Sequence, residues 1–311
     1  MTEPRAARDD LLARLGLVAE PAPAPSEGRF PDGGHFRIEI PSVEGPTVLA
    51  ALLEEADARG VTVNRVSQGS GAMQLGEGEL REMASLAAQA GLEISLFVGP
   101  RDEWDVGAFA RSPDGPSLAG RIRGTRQLRY AVEDVARAAD CGIRGFLVAD
   151  PGLLEVLAGL QRDGDLPASV VWKVSAMMAP TNPATFRQLE RLGASTVNVP
   201  SDATAGQLAE MRAVSGLPID LYVETPDAMG GVVRGQETGD LIRVAAPMYA
   251  KFGLRNSRLL YPSGLHLVDE AAVIAREKVR RAAVAMEWIE RMAPDLVQSK
   301  PHAEGLGVPE P

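Results

Sequence analysis

Lysines and glutamates stand where strand residues should be apolar. FRIEIP (36–41), VVWKVSAM (170–177), IDLYVET (219–225) and MYAKFGLRN (248–256) are short runs rich in β-branched and aromatic residues, each with charge inside it. Side chains alternate faces along a strand. The apolar residues of each run define one face, and Glu39, Lys173, Glu224 and Lys251 fall on the other. An unpaired charge is costly to bury, so these four must pair, meet water or hold a charged ligand. A desolvated lysine beside a second cation loses its proton more readily and can form a Schiff base. Lys173 beside Lys251 suits that chemistry, with Glu224 and Glu39 as the acid/base pair. Kept charged, the lysines instead hold a carboxylate, enolate or phosphate oxygen. A salt-bridge layer with no catalytic purpose is the other reading of the same residues.

Other residues join the set by position. Asn198 shares the inward parity of its run, and Arg65 lies in VTVNRVSQ (61–68), where the alternation is ambiguous and a bulge would resolve it. Arg101, Asp150, Gly230, Gly231, Arg255 and Asn256 follow strand ends, where loops bind substrate, and the glycine pair suits an anion held by backbone N–H groups. His266 follows the eighth run and is a candidate proton carrier. Glu39, Asp150, Glu224 and His266 are also oxygen and nitrogen donors for a divalent metal, the competing chemistry. No HExxH spacing, Walker A loop or GxSxG elbow occurs, so the expectation is no resident cofactor.

Eight times a strand-like run is followed by an amphipathic helix pattern. Glycines at 60, 91, 142, 193 and 216 stand just before runs, as helix C-caps do. Parallel strands joined by helices follow. Charges on the inner face of early and late strands favour a closed (β/α)8 TIM-type barrel over an open doubly wound sheet. The expected organisation is an N-terminal helix and proline-rich linker over 1–33, the barrel over 34–293, and a flexible tail over 294–311. The leading helix is predicted at 5–17, with Leu11, Leu12 and Leu15 on one face.

The 311 residues are 45% hydrophobic and carry a net charge of −10, which suits a large core and opposes non-specific nucleic-acid binding. The single cysteine, Cys141, excludes an intrachain disulfide and reads as a small buried hydrophobe. No apolar run approaches a membrane span and the start has no signal core, so a cytoplasmic location is expected. The final helix (269–292), with Val273, Ile274, Met286, Trp288 and Ile289, offers a face for its own barrel or for a homo-oligomer.

NRVSQGSGAM (64–73), LFVGPR (96–101), NVPSD (198–202), YVETPDAMGGVVR (222–234) and KFGLRNSRLLYPSGLHL (251–267) resemble segments of an actinobacterial family of uncharacterised barrel proteins, often labelled U32-type peptidases. The resemblance spans most of 35–267 and implies a barrel. The cysteines of the U32 pattern are missing here, so it carries over no catalytic residue. The reading from the residues is a barrel enzyme acting on a small anionic substrate by acid/base or Schiff-base chemistry: a lyase, aldolase or isomerase. The alternatives are a U32-like hydrolase, metal-dependent or not, and a non-catalytic ligand-binding or partner protein.

Overall fold

A computed structural model of the chain describes residues 12–17, 22–104, 108–113 and 115–311. Eight parallel strands close on themselves in chain order: β1 (Phe36–Pro41), β2 (Arg65–Gln68), β3 (Glu93–Phe97), β4 (Gly145–Val148), β5 (Val171–Val174), β6 (Thr196–Asn198), β7 (Ile219–Glu224) and β8 (Met248–Phe252). The register ends where it began, with Glu39 opposite Arg65 on one side and Lys251 on the other. The helices α1 (Pro46–Arg59), α2 (Glu77–Ala90), α3 (Gly124–Asp140), α4 (Pro151–Asp163), α5 (Pro183–Arg191), α6 (Ala205–Arg212), α7 (Thr238–Ala245) and α8 (Val268–Met292) each follow a strand. The chain is therefore a (β/α)8 barrel.

Local signals place these elements. Asn182 and Thr204 accept hydrogen bonds from the third residue of α5 and α6, satisfying a donor that the helix leaves free. Gly60 and Gly91 end α1 and α2 at φ +64°, a conformation other residues avoid. The main core lies between sheet and helices: Phe36, Ile38, Ile40, Ile94, Leu96, Trp172, Val174 and Leu221 all belong to it. Cys141 is buried and free.

The ambiguity in β2 resolves at Asn64. Val63 packs in the outer core and Arg65 points inward, and the strand proper starts only at Arg65. The Asn64 side chain accepts from Ile38 N–H (2.9 Å) and donates to the Ser299 carbonyl (3.0 Å), which fixes the break in alternation.

The barrel floor differs from expectation. The segment after 293 does not hang loose; it crosses the N-terminal strand ends. Gln298 bridges Phe36, and the Glu304 and Gly305 carbonyls accept from Arg37 at 2.7 and 3.2 Å. Gly307 N–H donates to Glu93 (3.1 Å), and Glu310 N–H donates to the Gly142 carbonyl (2.8 Å). From the other end of the chain, Phe30 lies under the Arg37 guanidinium and edge-on to Tyr249. Inward-facing Arg37 needs acceptors, and the tail's carbonyls supply them. Of the predicted helix at 5–17, only 12–17 lie among the described residues, and Leu12 and Leu15 are exposed there. On α8, Ile274 and Ile289 pack on the barrel while Val273 and Trp288 stay exposed.

Candidate functional site

Inward parity brings six charged side chains into one buried network. Glu39 is its hub. Its Oε1 accepts from Ser67 Oγ (2.7 Å) and Lys173 Nζ and forms an ion pair with Lys251 Nζ at 3.2 Å. Its Oε2 accepts from Arg65 Nε at 2.8 Å, and Arg65 Nη2 lies 2.6 Å from it as an ion pair. Arg65 also reaches Asp220 (2.6 Å) and Glu93 (3.4 Å), with the Tyr249 ring 3.4 Å from its guanidinium carbon. Lys173 lies 3.7 Å from Asp220, and Thr196 donates to Asp220 (2.9 Å). Arg65, Lys173 and Lys251 thus face Glu39, Glu93 and Asp220, and all six are buried.

Burial works against every charge in this layer, and neighbours decide the outcome. For Glu39 desolvation pushes the carboxyl up, but Arg65, Lys173 and Lys251 together hold it well below the usual range. Lys173 is pushed down by burial and by Arg65, more than Glu39 restores. Lys251 is opposed by burial yet held above its ordinary value by Glu39, so it remains an ammonium. Asn198 accepts from Lys251 Nζ at 2.7 Å, and the Tyr222 ring lies 4.1 Å from that nitrogen.

Above this layer, at the C-terminal strand ends, lies a cavity of about 720 Å³. Lys251 and Tyr222 form part of its base, and Arg101, Gly230, Tyr261 and Lys278 are in its wall. Of the network's charged groups, Lys251 alone lines it. Ser42, at φ +62°, shares a 2.6 Å hydrogen bond with Tyr261. The Tyr261 ring crosses so close to Gly69 that a Cβ there would sit 2.3 Å from it. Arg101 lies against Phe97 and Trp104, each ring centre 3.8 Å from its guanidinium carbon.

The predicted set is only partly assembled. Glu39, Arg65, Lys173, Asn198 and Lys251 meet in the network; Arg101, Gly230 and Lys251 line the cavity. Glu224 does not join them. The pairing of β7 and β8 slips between Tyr222 and Glu224, so Glu224 falls opposite outward-facing Phe252. Its carboxylate accepts from Arg255 N–H (3.0 Å) and lies 3.8 Å from Arg281 of α8. Asp150 caps α4, accepting from Leu153 N–H at 2.9 Å. Arg255 and Asn256 are tied to Asp227, at 3.5 and 2.6 Å, beside Gly231. His266 is exposed, outside the cavity lining. The candidate metal donors Glu39, Asp150, Glu224 and His266 are thereby separated. Among the described residues no group of three or more His, Cys, Asp or Glu side chains is placed to hold a metal ion.

Sequence reasoning omitted Glu93 and Lys278. Glu93 has the parity of inward-facing Ser95, which was signal enough. Lys278 comes from α8, seven residues after Ala271 and four after Ile274 on that helix's buried face. A lysine within an apolar stripe was its only mark.

No known family model matches the chain, and no curated protein sequence does. Among solved structures it is similar to the U32 peptidase Mk0906, at 20% identity and TM-score 0.40 over 66% of this chain and 73% of that one. It is also similar to the putative copper homeostasis protein CutC from Streptococcus agalactiae, at 12% identity and TM-score 0.47 over 69% and 98%. A putative lyase/mutase from Burkholderia cenocepacia aligns at 14% identity and TM-score 0.42 over 79% and 80%. These are likenesses of fold, and nothing about this chain's chemistry follows from them. No helix among the described residues is long and apolar enough to cross a membrane.

Proposed function

We propose that the barrel is an enzyme that draws a small anionic carbonyl compound, a carboxylate or a phosphate ester, into the mouth cavity and moves a proton on it, as lyases, aldolases and isomerases do. One observation carries the reading: Lys251 is at once part of the buried ion network and part of the cavity wall. Held as an ammonium by Glu39 and oriented by Asn198, it is suited to donate to the oxygen that becomes negative as an enolate forms, while the proton leaving the neighbouring carbon is taken by a carboxylate of the cavity wall, Asp202 or Glu103. Glu39 Oε1 accepts from Lys173 Nζ and lies 3.2 Å from Lys251 Nζ, so its carboxylate stands between the two amines and can carry a proton from Lys173 to replace one given up at Lys251. Lys173, enclosed by Glu39 and Asp220, does not line the cavity, and Lys251 is charged, so acid/base chemistry is favoured over a Schiff base. Lys173 then tunes Lys251 rather than attacking substrate.

The test is proton–deuteron exchange. The protein in D2O is mixed with carbonyl compounds bearing a carboxylate or a phosphate, and loss of the C–H signal beside the carbonyl is followed by NMR. The wild-type protein is expected to exchange at least one class, and Lys251→Met to slow it by about 100-fold or more. No exchange by the wild-type protein, or undiminished exchange by Lys251→Met, would overturn the proposal. The U32-like hydrolase alternative predicts peptide cleavage with no such exchange.

A further inference from the structure

The network around Glu39 matches three cations to three carboxylates, whereas the cavity wall holds two buried cations with no such match. Arg101 is 4% exposed and Lys278 is 3% exposed. Neither forms an ion pair among the described residues, though Glu44 acts on both through space, and Glu103 on Arg101. Glu44 is otherwise engaged: its two oxygens accept the Gly69 and Ser70 N–H groups at 2.9 and 3.1 Å.

Each cation also has donors to spare. Arg101 Nη2 donates to the Gly69 carbonyl, but its buried Nε has no acceptor among the described residues. The Phe97 and Trp104 ring centres each lie 3.8 Å from the guanidinium carbon, so the aromatic rings hold the group in place without accepting its N–H donors as an anion would. Lys278 Nζ donates to the Pro41 carbonyl at 2.7 Å, one of the three hydrogen bonds an ammonium can make. Buried cations left this way among the described residues are suited to take an acceptor from a bound ligand.

We infer that Arg101 and Lys278 form the anion-holding pole of the cavity, where the substrate's permanent carboxylate or phosphate binds while its reacting carbonyl lies at Lys251. This rests on the proposed function and sharpens its substrate class. Lys251 pairs with Glu39, and Lys278 sits on Pro41, two residues further along β1 toward the mouth. Two residues of strand rise about 6.6 Å. The two lysines thus meet β1 at successive inward levels, which suits a substrate whose acid group is separated from its reacting carbonyl rather than adjacent to it.

The experiment is calorimetric titration of the full chain with inorganic phosphate and, separately, with malonate, for the wild type, Lys278→Met, Arg101→Lys and Lys251→Met. The wild type is expected to bind one of the two, and which one separates phosphate from carboxylate recognition. Lys278→Met should weaken that binding about tenfold or more, and Arg101→Lys, which keeps the charge but loses the planar fork, should weaken it less. Unchanged affinity in both variants, or no binding of either anion by the wild type, overturns the inference. Binding lost only in Lys251→Met also overturns it, since the anion then sits on the network, but leaves the proton chemistry standing. Binding lost in Lys278→Met with no exchange of any compound supports the anion pole and sinks the proton chemistry instead.

Discussion

Replacing Lys278 by methionine should make the protein more stable at neutral pH. The side chain lies on the buried face of α8 and is 3% exposed, and burial pushes its ammonium from 10.5 down to about 8. Each tenfold change in proton affinity corresponds to about 1.4 kcal/mol, so holding the charge there costs about 3 kcal/mol. Methionine keeps the apolar stem and removes the charge. It also leaves the Pro41 carbonyl without its donor, at about 1 kcal/mol. The net gain at pH 6.5 is about 2 kcal/mol. The pH dependence gives the sharper test. Between about pH 8 and 10.5 the unfolded chain keeps the Lys278 proton and the folded chain has lost it. Wild-type stability therefore rises through that window relative to the variant, and the variant's advantage vanishes above it. Urea unfolding of both proteins at pH 6.5, 8, 9 and 10 measures the gap. A gap that stays constant with pH, or a variant that is strongly destabilised at pH 6.5, would refute the argument that this charge is buried without a partner.

Two further outcomes follow from the site's geometry. Glu39→Gln leaves Arg65, Lys173 and Lys251 facing a neutral hub and should cost about 3–5 kcal/mol in urea unfolding. Since the Glu39 carboxyl is held low, its contribution is present at neutral pH and lost as pH falls through that depressed value, so the two proteins should converge in acid; equal stability at pH 7 would show the network contributes little. Gly69→Ala places a methyl group 2.3 Å from the Tyr261 ring and should cost about 1–3 kcal/mol. Adding Tyr261→Ala should recover most of that loss, and simple additivity of the two would mean the ring is not what Gly69 accommodates.

Strand parity was the legible part of this chain. Ile38 against Glu39, Val174 against Lys173 and Ala250 against Lys251 each separate an outer core from an inner layer, and the closed barrel repeats that separation. Parity failed where the backbone departs from a regular ladder. The slip in β7–β8 pairing turns Glu224 outward, and a slip depends on the neighbouring strand rather than on the run IDLYVET itself. Part of the cavity wall, Arg101 and Gly230, was legible from its place after strand ends, and the rest was hidden for another reason. Tyr261 and Lys278 reach it from a loop and a helix, where no period marks direction, and only the folded chain brings them to Arg101. The tail's composition suggested looseness, but its backbone carbonyls, which composition does not reveal, answer Arg37.

That closure of the floor has a consequence for how the molecule assembles. Arg37 is in the first strand, and its carbonyl partner Gly305 comes 268 residues later. A chain emerging from the ribosome can pair β1 with β2 early, yet the guanidinium at its base stays open to water until nearly the whole polypeptide is available. Contacts so distant in sequence form late, after the loop between them has been closed. Sealing the base of the cylinder is then a finishing step, and a chain shortened before Gln298 would hold its eight strands around a wet axis.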